Sequence, residues 1–138
     1  MTANPRRFWW VVTGTYAIVV LVLSVIPTSG DLGPEHIDKV AHVCMYLLFA
    51  WLLVQVVRVT TTRPPVGEAG PPAGEAGMTE SVYLLWAWIY AFSYGLLMEV
   101  LQFFLPWRGA SAMDVVMNGL GAALGIWLAR RWPRPTTR

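Results

Sequence analysis

Four long apolar runs restrict the folds that are available to this chain. They cover about residues 8–26, 40–59, 82–105 and 112–131. Each run is close to the roughly 20 residues that a helix needs to cross a bilayer, and none alternates every two residues like a membrane β-strand. Charged residues form only 13% of the chain, against about a quarter in soluble domains. The sequence therefore predicts an all-α integral membrane protein with four transmembrane helices.

Turn-forming residues group these helices into two antiparallel hairpins. Gly33 and Pro34 lie in the first connection, and Asp38 is the predicted N-cap of the second helix. Pro106 ends the third helix, and Ser111 is the predicted N-cap of the fourth. Because the connection between them is short, we expect the third and fourth helices to form a tight hairpin.

Residues 60–81 separate the two hairpins and are rich in proline and glycine. The sequence PPVGEAG at residues 64–70 is followed at once by PPAGEAG at residues 71–77. Segments of this composition do not hold a helix or bury a core. The sequence thus predicts a flexible tether at about residues 60–81 within a single domain of residues 1–138.

The distribution of lysine and arginine predicts the orientation. In a four-pass chain, Lys39 and Arg108 lie on one side of the membrane, and the other eight basic residues lie on the opposite side: Arg6, Arg7, Arg58, Arg63, Arg130, Arg131, Arg134 and Arg138. Cytoplasmic segments carry the excess of basic residues, so we expect both termini in the cytoplasm. Basic residues interleaved with exposed aromatics are not found outside the membrane ends, and we therefore expect no nucleic-acid partner.

Polar residues recur at the predicted outer ends of the last three helices. On the second helix, a spacing of four residues places them on one face, and the fourth helix continues its polar face with two glycines. These residues are Asp38, His42 and Tyr46 on the second helix, Glu99 and Gln102 on the third, and Asp114, Asn118, Gly121 and Gly125 on the fourth. The glycines predict a close approach of a neighbouring helix.

Charged side chains at these depths are expected to meet in one place. Each costs about 2.5 to 3.5 kcal/mol on insertion scales, and such residues usually face the interior of a bundle. We therefore expect one polar pocket in the outer leaflet, in which Lys39 and Arg108 offset the acidic residues. The predicted ligand-binding residues are Lys39, His42, Tyr46, Glu99, Gln102, Arg108, Asp114 and Asn118.

The order and spacing of these residues resemble the VanZ-like membrane proteins. The resemblance rests on Asp38, Lys39, His42 and Tyr46, on Glu99 and Gln102, on Pro106 and Arg108, and on Asp114, Asn118, Gly121 and Gly125. It covers nearly all of the chain apart from the tether and the tails. It implies a four-helix protein of the bacterial cytoplasmic membrane with a role in the cell envelope, related to proteins of teicoplanin resistance. It implies no reaction and no cofactor.

Three functions remain open at this point. In the first, the pocket recognises an anionic lipid or a lipid-linked envelope precursor, with Lys39 and Arg108 holding the headgroup. In the second, the protein is a membrane-embedded enzyme acting on a lipid-linked phosphate, with Glu99, Asp114 and His42 as candidate catalytic residues. In the third, it is an accessory subunit of a larger membrane complex, and the polar residues only fasten the helices.

The sequence also bears on metals and partners. His42, Glu99 and Asp114 are possible metal ligands, but Lys39 and Arg108 are expected to compensate the acids, so we expect no metal and no cofactor. Membrane lipids are the expected partners. A homo-oligomer and membership of a larger assembly both remain compatible with the glycine stripe.

Overall fold

The protein folds into four α-helices. The structure, a computed structural model, describes residues 4–27, 35–61 and 73–132, and no strand occurs in these ranges. The helices are α1 (Pro5–Val25), α2 (Glu35–Thr61), α3 (Ala73–Phe103) and α4 (Ala112–Arg131). All four are long and apolar enough to cross a membrane. The predicted all-α membrane fold with four helices is confirmed.

The N-terminal ends of α1 and α4 follow local capping rules. Asn4 accepts a hydrogen bond from the backbone N–H of Arg6 at 3.0 Å, with Pro5 in the first helical position. Ser111 accepts from the backbone N–H of Met113 at 3.2 Å, so its predicted role as an N-cap is confirmed. The predicted bounds of the fourth helix agree with those of α4.

The start of α2 differs from the prediction. The helix begins at Glu35, and Asp38 lies inside it, so the prediction that Asp38 is the N-cap is wrong. Pro34 disfavours helical geometry only for the residue before it, which leaves the chain free to begin a helix directly after the proline. Acidic residues in the first turn of a helix are also favoured by the helix dipole.

The start of α3 also differs from the prediction. The backbone is helical from Ala73, nine residues before the predicted start, so the tether is shorter than expected. No proline follows Pro72 before the apolar run, and alanine, glutamate and methionine are good helix formers, which outweigh two glycines. The predicted flexibility of the tether concerns residues 62–72, which lie outside the described residues.

The centre of the bundle is α2, which makes most of the contacts between helices. Its closest neighbour is α4, where Gly121 faces Val43 and Gly125 faces Leu47. A Cβ atom added at either glycine would lie far inside the van der Waals contact distance of the facing carbonyl oxygen. The predicted close approach at the glycine stripe is confirmed, and α2 is the helix that makes it.

Aromatic side chains join α1 and α3 to α2. The Tyr16 hydroxyl donates to the carbonyl oxygen of Met45 at 3.1 Å, and the Tyr94 hydroxyl donates to that of Ala17 at 2.7 Å. The Phe49 ring packs against both tyrosine rings, with centroid distances of 6.2 Å and 5.1 Å. Each hydroxyl thus finds an acceptor while its ring fills space between helices.

Large apolar side chains cover the outside of the bundle, whereas many polar ones are buried. The exposed set is found on all four helices and includes Ile18, Leu23, Val40, Leu85, Trp86, Phe103, Phe104, Val116 and Trp127. Buried polar residues include His42, Glu99, Asp114 and Asn118. This arrangement suits a bundle surrounded by lipid, in which costly polar groups turn inward.

The contact between α2 and α4 makes Gly121 sensitive to substitution. We expect Gly121→Ala to lower the free energy of unfolding by about 1 to 3 kcal/mol, because the added methyl group must push two backbones apart. Gly14→Ala is the matched control, since nothing lies within 4 Å of a Cβ added there. Unfolding in detergent, followed by circular dichroism, measures both variants. Equal stability of the two variants would contradict the close packing described above.

Candidate functional site

His42 lies at the centre of a buried group of polar side chains from α2, α3 and α4. Its Nδ1 atom is 2.8 Å from Asn118 Oδ1 and 3.9 Å from Glu99 Oε1. Its Nε2 atom is 4.0 Å from both Asp38 Oδ2 and Asp114 Oδ2. We call these five residues the polar cluster. It lies at the end of the bundle where α2 and α4 begin and α3 ends, which we call the loop end.

Helix periodicity explains how the polar cluster forms. Asp38 and His42 are separated by one turn of α2, and Asp114 and Asn118 by one turn of α4, so each pair faces the other helix. The glycine stripe continues the same face of α4 and holds the two backbones close together. The structure therefore brings together His42, Glu99, Asp114 and Asn118, all of which the sequence identifies as candidate ligand-binding residues.

Glu99 links the polar cluster to the loop between α3 and α4. Its Oε2 atom accepts a hydrogen bond from the backbone N–H of Ser111 at 3.1 Å. Ser111 is also the N-cap of α4, so one residue fixes both the start of that helix and one oxygen of the glutamate. Sequence reasoning finds only the capping role, because spacing along the chain gives no signal for a contact through a backbone amide.

Several buried polar atoms of this region have no hydrogen-bond partner among the described residues. They are Glu99 Oε1, Asp114 Oδ1, Asn118 Nδ2 and Tyr46 Oη. A buried polar group left unpaired costs about 1 to 3 kcal/mol, so native proteins pair nearly all of them. Four such atoms on neighbouring side chains have the capacity to bind water, an ion or a polar group of another molecule.

Gly95 is a residue of this region that sequence reasoning misses. A Cβ atom added to it would lie 3.0 Å from Asn118 Cβ and 3.0 Å from Tyr46 Cε1, which is closer than ordinary contacts. The absence of a side chain on this turn of α3 allows the Tyr46 ring and the Asn118 amide to approach. A glycine inside an apolar helix is a weak signal, and a packing role for it is visible only in three dimensions.

Gln102 and Arg108 lie apart from the polar cluster and hold the end of α1. Gln102 Nε2 donates to the carbonyl oxygen of Ser24 at 3.2 Å, and Arg108 donates to that of Leu23. Trp107 Nε1 donates to the carbonyl oxygen of Val25 at 3.1 Å. Arg108 forms no ion pair with a described carboxylate, so it does not offset the acidic residues as the sequence predicts.

The two other predicted residues flank the polar cluster on α2. The Tyr46 side chain is almost completely buried, one turn from His42 towards the middle of the helix. Lys39 is partly buried and lies in the turn that contains Asp38. The described carboxylates at this end of the bundle therefore share a small region with one imidazole and one ammonium group.

A shallow groove runs beside Glu99 at the loop end. It has a volume of about 240 Å³ and is lined by Glu99, Val100, Phe103, Ala110, Ser111, Ala112 and Val115. Glu99 and Ser111 are its polar residues. The Val100 and Phe103 side chains are exposed on the apolar outer surface of the bundle. The groove therefore opens sideways, towards the region that lipid chains occupy around such a bundle.

The sequence also matches the model of a known protein family. A family model described as VanZ/LLP1 matches residues 3–133. The chain belongs to the VanZ/LLP1 family. This match confirms the resemblance that the spaced polar residues indicate. Comparisons with the curated proteins and with the solved structures give no match. Family membership and four helices suited to crossing a membrane identify this VanZ/LLP1 protein as a multi-pass membrane protein.

The contact between His42 and Asn118 makes these residues energetically coupled. We expect a double-mutant cycle of His42→Ala and Asn118→Ala to give a coupling energy of about 0.5 to 3 kcal/mol, because each single change leaves a buried partner unpaired. Unfolding in detergent provides the four free energies. Asn118→Ala combined with Thr13→Ala is the control, since Thr13 lies on α1 and its effect should add independently. If the effects of His42→Ala and Asn118→Ala are additive, the contact between these two side chains does not contribute to stability.

Proposed function

We propose that this VanZ/LLP1 protein recognises an anionic lipid or a lipid-linked envelope precursor at its loop end. The observation that carries the proposal is the unpaired Glu99 Oε1 atom, which is buried beside a groove that opens sideways. A lipid-linked molecule suits such a groove because its headgroup meets polar atoms while its chain stays in the bilayer.

The dimensions of the groove limit what enters it. Pockets for whole drug-sized ligands have volumes of about 300 to 1,000 Å³, and this groove has about 240 Å³. A headgroup therefore fits, whereas the attached chain remains outside against Val100 and Phe103. Glu99 is suited to accept hydrogen bonds from hydroxyl or amine groups of the headgroup.

An anionic group on the same molecule would be held by the basic residues of the loop end. Arg108 donates a hydrogen bond from one Nη atom to the end of α1, and its buried Nε atom has no hydrogen-bond partner among the described residues. Guanidinium groups bind phosphate through directed hydrogen bonds, and Lys39 adds a second positive charge at this end of the bundle. A headgroup with both phosphate and hydroxyl groups thus matches the basic residues of the loop end and the groove.

The proposal includes an orientation in the bacterial cytoplasmic membrane. Of the ten basic residues, only Lys39 and Arg108 fall at the loop end of a four-pass chain. By the positive-inside rule, the loop end faces outward and both termini are cytoplasmic. An extracytoplasmic site is where envelope precursors and glycopeptides such as teicoplanin meet the membrane, and a contribution to resistance is part of the proposal.

The orientation predicts which residues a membrane-impermeant thiol reagent reaches in intact cells. In a Cys44→Ala background, we expect a single cysteine introduced by Arg108→Cys to be labelled, because it lies at the loop end. The matched variant Arg130→Cys, at the opposite end of α4, should be labelled only after the cells are opened. Labelling of Arg130→Cys in intact cells would contradict the proposed orientation and place both termini outside the cytoplasm.

Lipid retention tests the proposed ligand directly. Native mass spectrometry of protein extracted gently from its own membrane should detect a specific anionic lipid on the wild type. Loss of a charged hydrogen bond costs about 1.5 to 3 kcal/mol, so Glu99→Gln and Arg108→Ala should each weaken retention by about ten- to a hundredfold. Arg130→Ala serves as the control, since Arg130 is exposed at the opposite end of the bundle.

Other outcomes of this experiment would replace the proposal. Equal retention by all variants would show that the lipid lies elsewhere on the protein. A stable protein partner without lipid would favour the accessory-subunit function, in which the polar cluster fastens helices. A chemically altered lipid that accumulates with the wild type and is absent with Glu99→Gln would favour the membrane-embedded enzyme.

A further inference from the structure

We infer that Asp38, His42 and Asp114 form a binding site for a divalent transition-metal ion such as Zn²⁺ or Mn²⁺. One ligand atom from each residue lies within 4.8 Å of the others. An imidazole with two carboxylates is a donor set that these ions accept. Three protein ligands leave a coordination position for water or for a group of a bound molecule.

The hydrogen bonding of His42 prepares its ring for an ion. Nδ1 lies 2.8 Å from Asn118 Oδ1, and because an amide oxygen only accepts, we assign the ring proton to Nδ1. The lone pair therefore lies on Nε2, the atom that faces Asp38 and Asp114. Histidine ligands of metals usually donate their other ring N–H to such an acceptor, which fixes both tautomer and ring orientation.

The distances around Nε2 suit an ion better than direct hydrogen bonds. Nε2 is 4.0 Å from each of the two carboxylate oxygens, too far for a hydrogen bond. Two ligands of a tetrahedral zinc ion, with bonds near 2.1 Å, are about 3.4 Å apart. Each carboxylate oxygen would therefore move about half an ångström towards Nε2. Rotation of the exposed Asp38 side chain supplies this shift on one side, and a small change in the Asp114 side-chain torsion supplies it on the other.

A second, independent observation points to a ligand at this place. The Asp114 side chain is only 8% exposed, yet its Oδ1 atom has no hydrogen-bond partner among the described residues. A buried carboxylate that lacks a partner is costly, and an ion would satisfy it together with its second oxygen. Asp38, by contrast, is 46% exposed, which gives an ion a way in from the loop end.

The placement of Arg108 takes away one of the two positive charges on which the expectation of no metal rests, and Lys39 remains near Asp114. That expectation depends on Lys39 and Arg108 compensating the acids, whereas Arg108 donates to the end of α1. The side chains around Nε2 thus include two carboxylates that Arg108 leaves uncompensated. An ion there would also give a phosphate-bearing headgroup a positive partner, a connection that rests on the proposed function.

Metal binding is tested on the full-length protein in detergent, purified without a histidine tag and treated with a chelator. We expect one Zn²⁺ per chain by elemental analysis after dialysis, and Co²⁺ should produce the visible absorption of a low-coordinate site. Loss of one ligand should weaken Zn²⁺ binding about tenfold or more in Asp38→Asn and Asp114→Asn. The control Glu80→Gln removes a carboxylate at the opposite end of the bundle and should bind like the wild type.

Asp38→Asn is the decisive variant because its side chain is 46% exposed and adds little to the packing of the bundle. Circular dichroism checks that the variant is folded. Equal Zn²⁺ binding by the wild type and both site variants, or no bound ion in the wild type, would overturn the inference. Lipid retention is measured separately with and without chelator. Retention that survives metal removal leaves the proposed function standing even if the metal site fails.

Discussion

The absence of water in the hydrocarbon core is the constraint on which this structure depends, because every polar group there needs a partner within the protein. Helix ends show how the chain meets it. The carbonyl groups at the end of α1 accept from three side chains that follow or end α3. Arg6 donates to the carbonyl oxygen of Val59 at 3.0 Å, and Arg58 donates to that of Ala129 at 2.6 Å. Positive groups at helix C-termini also complement the helix dipole.

The polar cluster contrasts with these helix ends, whose carbonyl oxygens accept hydrogen bonds from side chains. Interhelical polar contacts in membranes contribute only about 0.6 kcal/mol on average, whereas unpaired buried acceptors are costly. Fastening helices would be served by a complete network, but Glu99 and Asp114 each keep an oxygen without a partner among the described residues. Unpaired carboxylate oxygens among the described residues are thus found around His42, which is the reason why we propose a binding role for this region.

The sequence predicts the parts of this fold that depend on local signals. Ser111 determines the start of α4, and the spacing of Asp114 and Asn118 places both on the face that meets α2. The start of α2 is mispredicted because Asp38 has the chemistry of an N-cap but is used inside the helix. The role of Arg108 is mispredicted for a different reason. The prediction pairs its charge with acidic side chains, whereas its hydrogen-bond partner is a backbone carbonyl group, which no sequence pattern identifies. Gly95 becomes informative only once Tyr46 and Asn118 are seen against it.

The contact between α2 and α4 has a consequence for biogenesis. Chain order brings α4 to the membrane last, although it carries Asp114 and Asn118, whose transfer into lipid is unfavourable. The His42 side chain that meets both of them belongs to α2, which by then has already entered the bilayer. The glycines at positions 121 and 125 allow α4 to dock directly on that helix. Insertion of the final segment is thereby linked to tertiary assembly, since its polar residues are accommodated by a surface that the earlier helices have built.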